Sequence, residues 1–512
     1  MALAESTTRT LELALDTINI KKQAIIFANT RRSAEKSAEE LAKNLKDDFS
    51  LEEIEHKILN ALSSPTKQCK RLAFCVKRGV AFHHSGLAPK QRGIVEDSFR
   101  EGKIKVICST PTLAYGLDLP AFRVILQNLK RYSSRGLRYI PVLEYLQMSG
   151  RAGRPKFDNL GESIAIATTE KQKQELTDIY LNGEPEDIYS KLATEPALRA
   201  NILSLIATEF VQNKDELLNF FSKTFWAHHY GDMYQLNVII TRILNMLEMW
   251  DFINVEGDID FDEDVPINAS LLGKRVSQLY LDPLTANGII VGLKKANKDT
   301  KTFAFLQLIS HTLELRPLLR VKKTEEELME IVITKYEGDL LQEFVDYEYS
   351  EDKHSYLNSL KTALFFFNWI NEFSEEKLLE KFDVRPGEIS VKLQISKWLI
   401  YSSVELAKIV GLKEIINPLM KLDARLKYGT KEELLSLLKL KGIGRVRARK
   451  MFNNNIKDLG SLKRAKFDIL AQLIGNNIAI NIKKQVGQDF SKMKVQKNKR
   501  KGQLSLKKYE KS

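Results

Sequence analysis

The sequence predicts a multidomain chain, α/β over its first third and α-helical beyond it. Three observations carry that reading. From Gln23 to about Thr169, short apolar runs alternate with polar helical stretches, the pattern of a parallel sheet covered by helices on both faces. After about Ser190 the strand-like runs stop and long stretches of helical spacing replace them. Near the C-terminus, a glycine turn opens into a short helix loaded with arginine. A chain of 512 residues has room for roughly three to five domains. Its 43% hydrophobic content is enough for real cores, and a formal charge of +13 favours a polyanionic partner. The three cysteines (Cys69, Cys75, Cys108) have no metal-ligand spacing and point to a reducing cytoplasm. The first thirty residues contain no apolar core of a signal peptide, and no apolar run reaches membrane-spanning length, so a soluble, intracellular protein without a membrane partner is expected.

The elements follow in order. "AIIFAN", "GVAFHH", "IKVICST", "RVILQN" and "ESIAIATT" read as strands, and Ser33–Lys46, Pro89–Arg100 and Val142–Met148 as helices. Parallel sheets bind ligands beyond the carboxyl ends of their strands. Asn29, Thr30 and Arg31 fall there after the first strand, His83 and His84 after the second, and Thr110 after the third. Beyond Ser190, "LRANILSLIATEF", "KDELLNFFSKTFWAHHY" and "QLNVIITRILNMLEMWDFI" give three helical patterns, followed by the short segment "NVEGDIDF". Three helices and a small strand pair suit a winged helix. From Leu284 to Val410 the pattern is helical, with starts at Thr324–Glu327, Ser374–Glu376 and Pro386–Gly387. In "LLKLKGIGRVRARKMF" a helix ends near Leu438, "KGIG" turns, and a basic helix begins near Arg445. This is a helix–hairpin–helix, whose glycines Gly442 and Gly444 let backbone N–H groups meet a phosphate, with Arg445, Arg447 and Arg449 adding charge. The lysine-rich end reads as a disordered tail.

The chemistry concentrates in "QMSGRAGRP", Gln147 to Pro155, where Arg151 and Arg154 each follow a glycine. The arginine fork matches phosphate oxygens, and a preceding glycine lets the backbone come close to what the fork grips. The plain alternative is a surface salt-bridge cluster. Against that alternative stand "FANTRRSAE", "AFHHSGL" and "CSTPTLAYGLDLPAF", in order upstream. These four stretches resemble motifs IV, IVa, V and VI of superfamily-two helicases of the Ski-two-like branch. The resemblance implies that Arg151 and Arg154 act as fingers on the γ-phosphate of ATP held with Mg2+ by a different RecA-like domain. It also implies that Gln147, Gly116 and Asp118 line that cleft, and that Thr110 and Thr112 touch the nucleic-acid backbone. Asn29, Arg31, His83 and His84 then face nucleic acid or the cleft. A metal site at the paired histidines is disfavoured, because no third ligand is spaced to join them.

Three further stretches extend the match to the archaeal Holliday-junction-migration (Hjm-type) repair helicases. "VILQNLKRYSSRGLRYIP" predicts a hairpin carrying Lys130, Arg131, Tyr132, Arg135, Arg138 and Tyr139 around its tip. Its plain reading is a surface hairpin; the family places a strand-separating pin there. In the helix after Pro386, Ile389, Leu393, Ile400, Val404 and Ala407 share an apolar face, while Trp398 lies opposite beside Gln394, Ser402 and Glu405. That suits stacking on a base, although a central helix buried on both sides would place a tryptophan similarly. The resemblance makes this the family's ratchet helix, with Val391 where relatives carry an arginine and Lys392 beside it. The helix–hairpin–helix completes the series.

The expected architecture is therefore a RecA-like domain (residues 1–190), a winged helix (191–283), a helical ratchet bundle (284–410), a helix–hairpin–helix domain (411–490) and a basic tail (491–512). Neither G-x-x-x-x-G-K-[ST] nor D-E-x-H occurs. The chain is thus expected to be the C-terminal portion of a helicase, with its first RecA-like domain missing or supplied by a partner. By resemblance it moves 3′→5′ on single-stranded and forked DNA in repair. The alternatives are a non-catalytic DNA-binding module and an RNA helicase of the same branch. In the tail, Gln503, Leu506 and Tyr509 have the spacing Q-x-x-L-x-x-Y, which resembles a sliding-clamp docking peptide. A solvated basic end is the simpler account of it.

Overall fold

The computed structural model describes residues 2–62, 65–115, 119–133, 136–153, 158–260, 264–342 and 351–488. Gly116, Asp118, Arg135, Arg154, the Tyr132 side chain and the tail residues Gln503, Leu506 and Tyr509 lie outside the described residues. The chain divides into two compact units. One comprises residues 1–198, 217–238 and 375–392, and the other 199–216, 239–374 and 393–512.

The first unit is built on the sheet. Strands β1 (Ala24–Phe27), β2 (Val80–His83), β3 (Val106–Ser109) and β4 (Arg123–Leu126) come first, then a hairpin of β5 (Lys130–Ser133) and β6 (Gly136–Tyr139), then β7 (Glu162–Ala165). The sheet order is β2-β3-β1-β4-β7, and every pairing within it is parallel. All five strands read from the sequence are present. Their continuous apolar character has a direct cause, since β1 to β4 are buried along their whole length. Ala24 stands opposite both Val106 and Arg123, so β1 is the centre from which the chain winds outward to both edges. The three expected helices form as Arg31–Lys43, Pro89–Arg100 and Val142–Ser149. Thr30 ends the loop after β1 and accepts the Ser33 N–H, a side-chain cap that turns strand directly into helix.

Helices Ala2–Asn19, Glu52–Leu59 and Lys67–Val76 were not anticipated. Helix Ala2–Asn19 packs on β1 and β4. Arg123, on β4, fixes it by donating to Leu13 O at 3.0 Å and Asp16 Oδ2 at 2.7 Å, while its Nε pairs with Glu162 on β7 at 2.6 Å.

Past residue 190, the single helix expected over Lys214–Tyr230 is two, Lys214–Ser222 and Phe225–Tyr230. The break falls where Thr224 adopts extended backbone as the cap of the second helix. In the second unit, β8 (Ile253–Val255) and β9 (Ile267–Ala269) form the expected small antiparallel pair. Helices Pro283–Lys295, Thr302–Ser310, Glu326–Tyr336, Glu351–Ile370 and Lys413–Tyr428 follow in that unit. Lys413–Tyr428 packs on both Thr302–Ser310 and Glu351–Ile370, which carries the helical bundle past the boundary expected at Val410. The last core gathers Leu434, Leu437, Leu438, Ile443, Met451, Leu470 and Ile482. Among the described residues no helix is long and apolar enough to cross a membrane.

Candidate nucleic-acid interface

The carboxyl ends of β1, β2 and β3 open into one cleft of about 570 Å³. Asn29, Arg31, Thr110, Thr112 and Arg131, all singled out from the sequence, line it together with Ser85, Tyr115 and Glu144. Strand order explains the convergence: β2, β3 and β1 are neighbours, so the loops that follow them meet at one edge. Both cations in the cleft already have carboxylate partners. Arg131 Nη1 lies 2.9 Å from Glu144, and Arg31 is paired with Glu388 while donating to Ser85 Oγ at 3.0 Å. The neutral groups remain more available. Thr110 Oγ1 and Thr112 Oγ1 share a hydrogen bond of 2.9 Å, and Asn29 donates to the Lys130 carbonyl, which ties the cleft to the foot of the hairpin.

The hairpin pairs Lys130 with Tyr139, Arg131 with Arg138 and Tyr132 with Leu137. Tyr139 is not at the tip. Its ring lies 4.3 Å from Lys130 Nζ and its hydroxyl donates to Glu175 at 2.6 Å, so it anchors the base, whereas Leu137 is exposed toward the turn.

His83 and His84 face inward, contrary to the expectation that they meet nucleic acid. His83 Nε2 lies 2.8 Å from Glu96. His84 is fully buried. Its Nδ1 accepts the Gly86 N–H at 3.1 Å, so Nε2 carries the proton and donates it to Glu35 at 3.0 Å. Burial lowers the imidazole pKa and outweighs the opposing influence of Glu35, which keeps the ring neutral. Glu35 also accepts from Gln68 at 2.9 Å, Arg71 at 2.6 Å and Arg385 at 2.8 Å. Burial alone would raise its carboxyl, but the His84 and Gln68 hydrogen bonds and the Arg385 and Arg71 charges hold it down at about 2. This hub was missed. The available signal was an acid aligned with Ala38 and Ala42 on the buried stripe of Arg31–Lys43.

On the arginine side, Gln147 and Arg151 flank the end of helix Val142–Ser149. The Gln147 Oε1 is buried and meets no donor among the described residues, and the same holds for Ser149 Oγ. Arg151 donates through Nη2 to the Ala114 carbonyl, in the turn Pro111–Ala114 that follows Thr110. Backbone bonds from Ala121 N to Arg151 O (2.9 Å) and Gly153 N to Ala121 O (2.7 Å) join the two loops further. Among the described residues, then, an acceptor is buried without a donor and the Arg151 guanidinium is held by one carbonyl, which leaves both with capacity for a ligand.

Residues 55–156 match the helicase conserved C-terminal domain, and residues 303–429 match domain 4 of archaeal helicases. The chain is 37% identical to the ATP-dependent DNA helicase Hel308 of Methanococcus vannielii, over 94% of its own length and 68% of that protein. It is 38% identical to the protein of the same name from Pyrococcus abyssi and 39% to that of Pyrococcus horikoshii, in each case over 96% of its length and 67% of the relative. This chain belongs to the Hel308 helicase family.

The Hel308 helix that carries Trp398 runs from Pro386 to Ile409. The Trp398 indole N–H donates to the Leu279 carbonyl at 3.0 Å, leaving the ring half-buried. The surroundings differ from the expected polar face, because Ser402 is fully buried and Glu405 is paired with Arg275. Val391 is exposed, and burial pushes the Lys392 ammonium below its ordinary pKa.

In the C-terminal domain of this Hel308 member, the expected helix before "KGIG" is replaced by two short 3-10 turns, Glu432–Leu434 and Leu437–Lys439. Gly442 has φ +89°, which a side chain would disfavour, and Gly444 caps helix Arg445–Asn453. Gln485 clamps the turn by accepting the Lys441 N–H at 2.8 Å and donating to the Lys441 carbonyl at 3.0 Å. The three arginines are not equivalent. Arg449 is paired with Glu372 and Glu433, and Arg445 stacks 4.5 Å from the Trp369 ring, so both brace the domain. Arg447 is exposed.

Proposed function

We propose that this chain is the DNA-gripping part of an ATP-dependent DNA helicase that moves 3′→5′ on single-stranded and forked DNA. The observation that carries the reading is the cleft, where Asn29 and Arg31 of one helicase motif converge with Thr110 and Thr112 of another and with Arg131 of the hairpin. Single-stranded DNA lies there with its phosphates on Thr110, Thr112 and Asn29, neutral donors that need not first break an ion pair. Arg131 and the hairpin serve to split an incoming duplex, and Trp398 and the Gly442–Arg447 segment each grip single strand.

ATP and Mg2+ supply the phosphoryl chemistry, held by a phosphate loop and acidic box that this sequence does not contain. The chain's own share is the arginine side. Gln147 offers its orphan acceptor, and Arg151 and Arg154 stabilise charge developing on the transferred phosphoryl group. By the family resemblance, Gly116 and Asp118 also take part in nucleotide binding. The Gln503–Tyr509 segment as a clamp-docking peptide, and a cytoplasmic location, complete the proposal.

Replacing Thr110 and Thr112 together by valine tests the cleft. Removing both partners of their mutual hydrogen bond is nearly neutral for folding, whereas losing their phosphate contacts weakens single-strand affinity by about 1 kcal/mol, roughly fivefold. Unchanged affinity for an oligo(dT) strand in a titration would place the DNA elsewhere.

A further inference from the structure

The start of helix Pro386–Ile409 is bound to the strand ends that line the cleft. Arg385, one residue before it, reaches Glu35 at 2.8 Å and donates its backbone N–H to Glu388 Oε2 at 2.8 Å. The other oxygen of Glu388 takes Arg31, which also holds Ser85 Oγ at 3.0 Å. The Gly387 N–H donates to Gly86 O at 3.0 Å, and a Cβ on Gly387 would stand 2.1 Å from Ser85 O. No larger residue fits that approach. Two ion pairs and one backbone bond therefore clamp the first turn of the helix. Their other ends sit on the first turns of helix Arg31–Lys43, which follows β1, and on the loop after β2; the same segments supply Arg31 and Ser85 to the cleft.

We infer that Arg31, Glu35, Arg385 and Glu388 are positioning residues, which latch the beginning of the Trp398 helix to the cleft-lining segments that follow β1 and β2. Arg31 is then not a DNA contact in its own right. This rests on the reading of the cleft as the DNA site. The chemistry favours the latch, because Arg31 spends its guanidinium on Glu388 and Ser85, and a phosphate would have to displace a carboxylate already in place. Trp398 stands about three turns further along the same helix.

The test is a charge swap in the full chain, with Arg31→Glu, Glu388→Arg and the double variant, which keeps the wild-type net charge. Hydrogen exchange over residues 384–392 and affinity for oligo(dT) are measured on each. The latch predicts that either single variant speeds exchange there by about tenfold and weakens binding by about threefold, and that the double variant recovers both. Weakened binding that the double variant does not recover overturns it, as does unchanged exchange in the single variants. Arg31→Ala and Glu388→Gln serve where the swapped singles fail to fold. Under the latch, Arg31→Ala leaves the slope of log K against log salt unchanged, whereas loss of a phosphate contact reduces it by about 1. Tighter binding by Glu388→Gln means that the carboxylate only competed with DNA for Arg31, and also overturns the proposal. If the wild type itself fails to bind oligo(dT), the cleft reading fails, and the exchange measurements alone decide the latch.

Discussion

Glu35 is buried beneath donors from His84, Gln68, Arg71 and Arg385, so replacing it by alanine leaves the buried His84 N–H and the Arg385 guanidinium without their carboxylate and Arg71 with Glu39 alone. Breaking a buried pair on one side costs about 3–5 kcal/mol. Glu35→Ala is therefore expected to lower the urea midpoint of the sheet unit severely, and a small shift would show that water replaces the carboxylate. The same residue carries a pH signature. Its carboxyl titrates near 4.5 when unfolded and near 2 when folded, so its stabilisation is complete above about 4.5 and is lost as pH falls toward 2. Wild type should lose more stability than Glu35→Gln between pH 5 and pH 3 in parallel urea melts; equal losses would remove Glu35 from the account. At Trp398 the hydrogen bond to Leu279 separates two roles. Trp398→Phe should cost about 1 kcal/mol of stability yet keep DNA affinity, while Trp398→Ala should also lose about 1–3 kcal/mol of strand binding. Binding loss already complete in the phenylalanine variant would argue against stacking. Residue identities at the strand ends were legible because motif order placed them. The inward turn of His83 and His84 was not, since a polar side chain after a strand reads alike whether it meets DNA or a buried acid.

Elements were legible where one period dominates. The five parallel strands are short apolar runs bounded by polar helices, and Pro89 and Pro386 mark helix starts that the fold keeps. The break near Thr224 was hidden, because apolar residues continue across it and only the backbone of Thr224 departs from helix. Helix Ala2–Asn19 was hidden differently, since what fixes it is the buried guanidinium of Arg123 more than a hundred residues away. In the C-terminal domain, three arginines at alternate positions read alike as added charge. A helix advances about 100° per residue, so alternate positions fan round it, and the partners decide their roles. Arg447→Ala should weaken single-strand binding modestly and lower its salt slope by about 1, with melting unchanged. Arg449→Ala should instead destabilise the domain by freeing Glu372 and Glu433, with the salt slope retained. A full set of salt titrations on the two variants separates these outcomes, and matching slopes would mean that the helix meets DNA through both.

On the scale of the whole molecule, the passage from a parallel sheet to helices was legible because the apolar pattern changes near Ser190, whereas the end of the helical bundle was not. The helix Lys413–Tyr428 carries no sign of which neighbour it will join until its apolar face is seen on Thr302–Ser310 and Glu351–Ile370. The largest functional consequence concerns ATP. Arg151 stands beside the turn that follows Thr110, so the group that would sense the γ-phosphate is joined by one hydrogen bond to the loop that would hold DNA. With no phosphate-loop lysine in the sequence, the purified chain is expected to bind oligo(dT) but not to hydrolyse ATP. A phosphate-loop domain supplied from a Hel308 relative should restore DNA-stimulated turnover if the chain brings the arginine side of the site. In that assembly Arg151→Ala should reduce kcat by about 10³ or more, the scale of an arginine finger, while oligo(dT) affinity stays within about twofold. Loss of DNA affinity in step with kcat would mean that Arg151 acts on the DNA loop through Ala114 and not on the phosphate. Turnover by the chain alone, co-purifying with it and abolished by Arg151→Ala, would overturn the division of the nucleotide site between two domains.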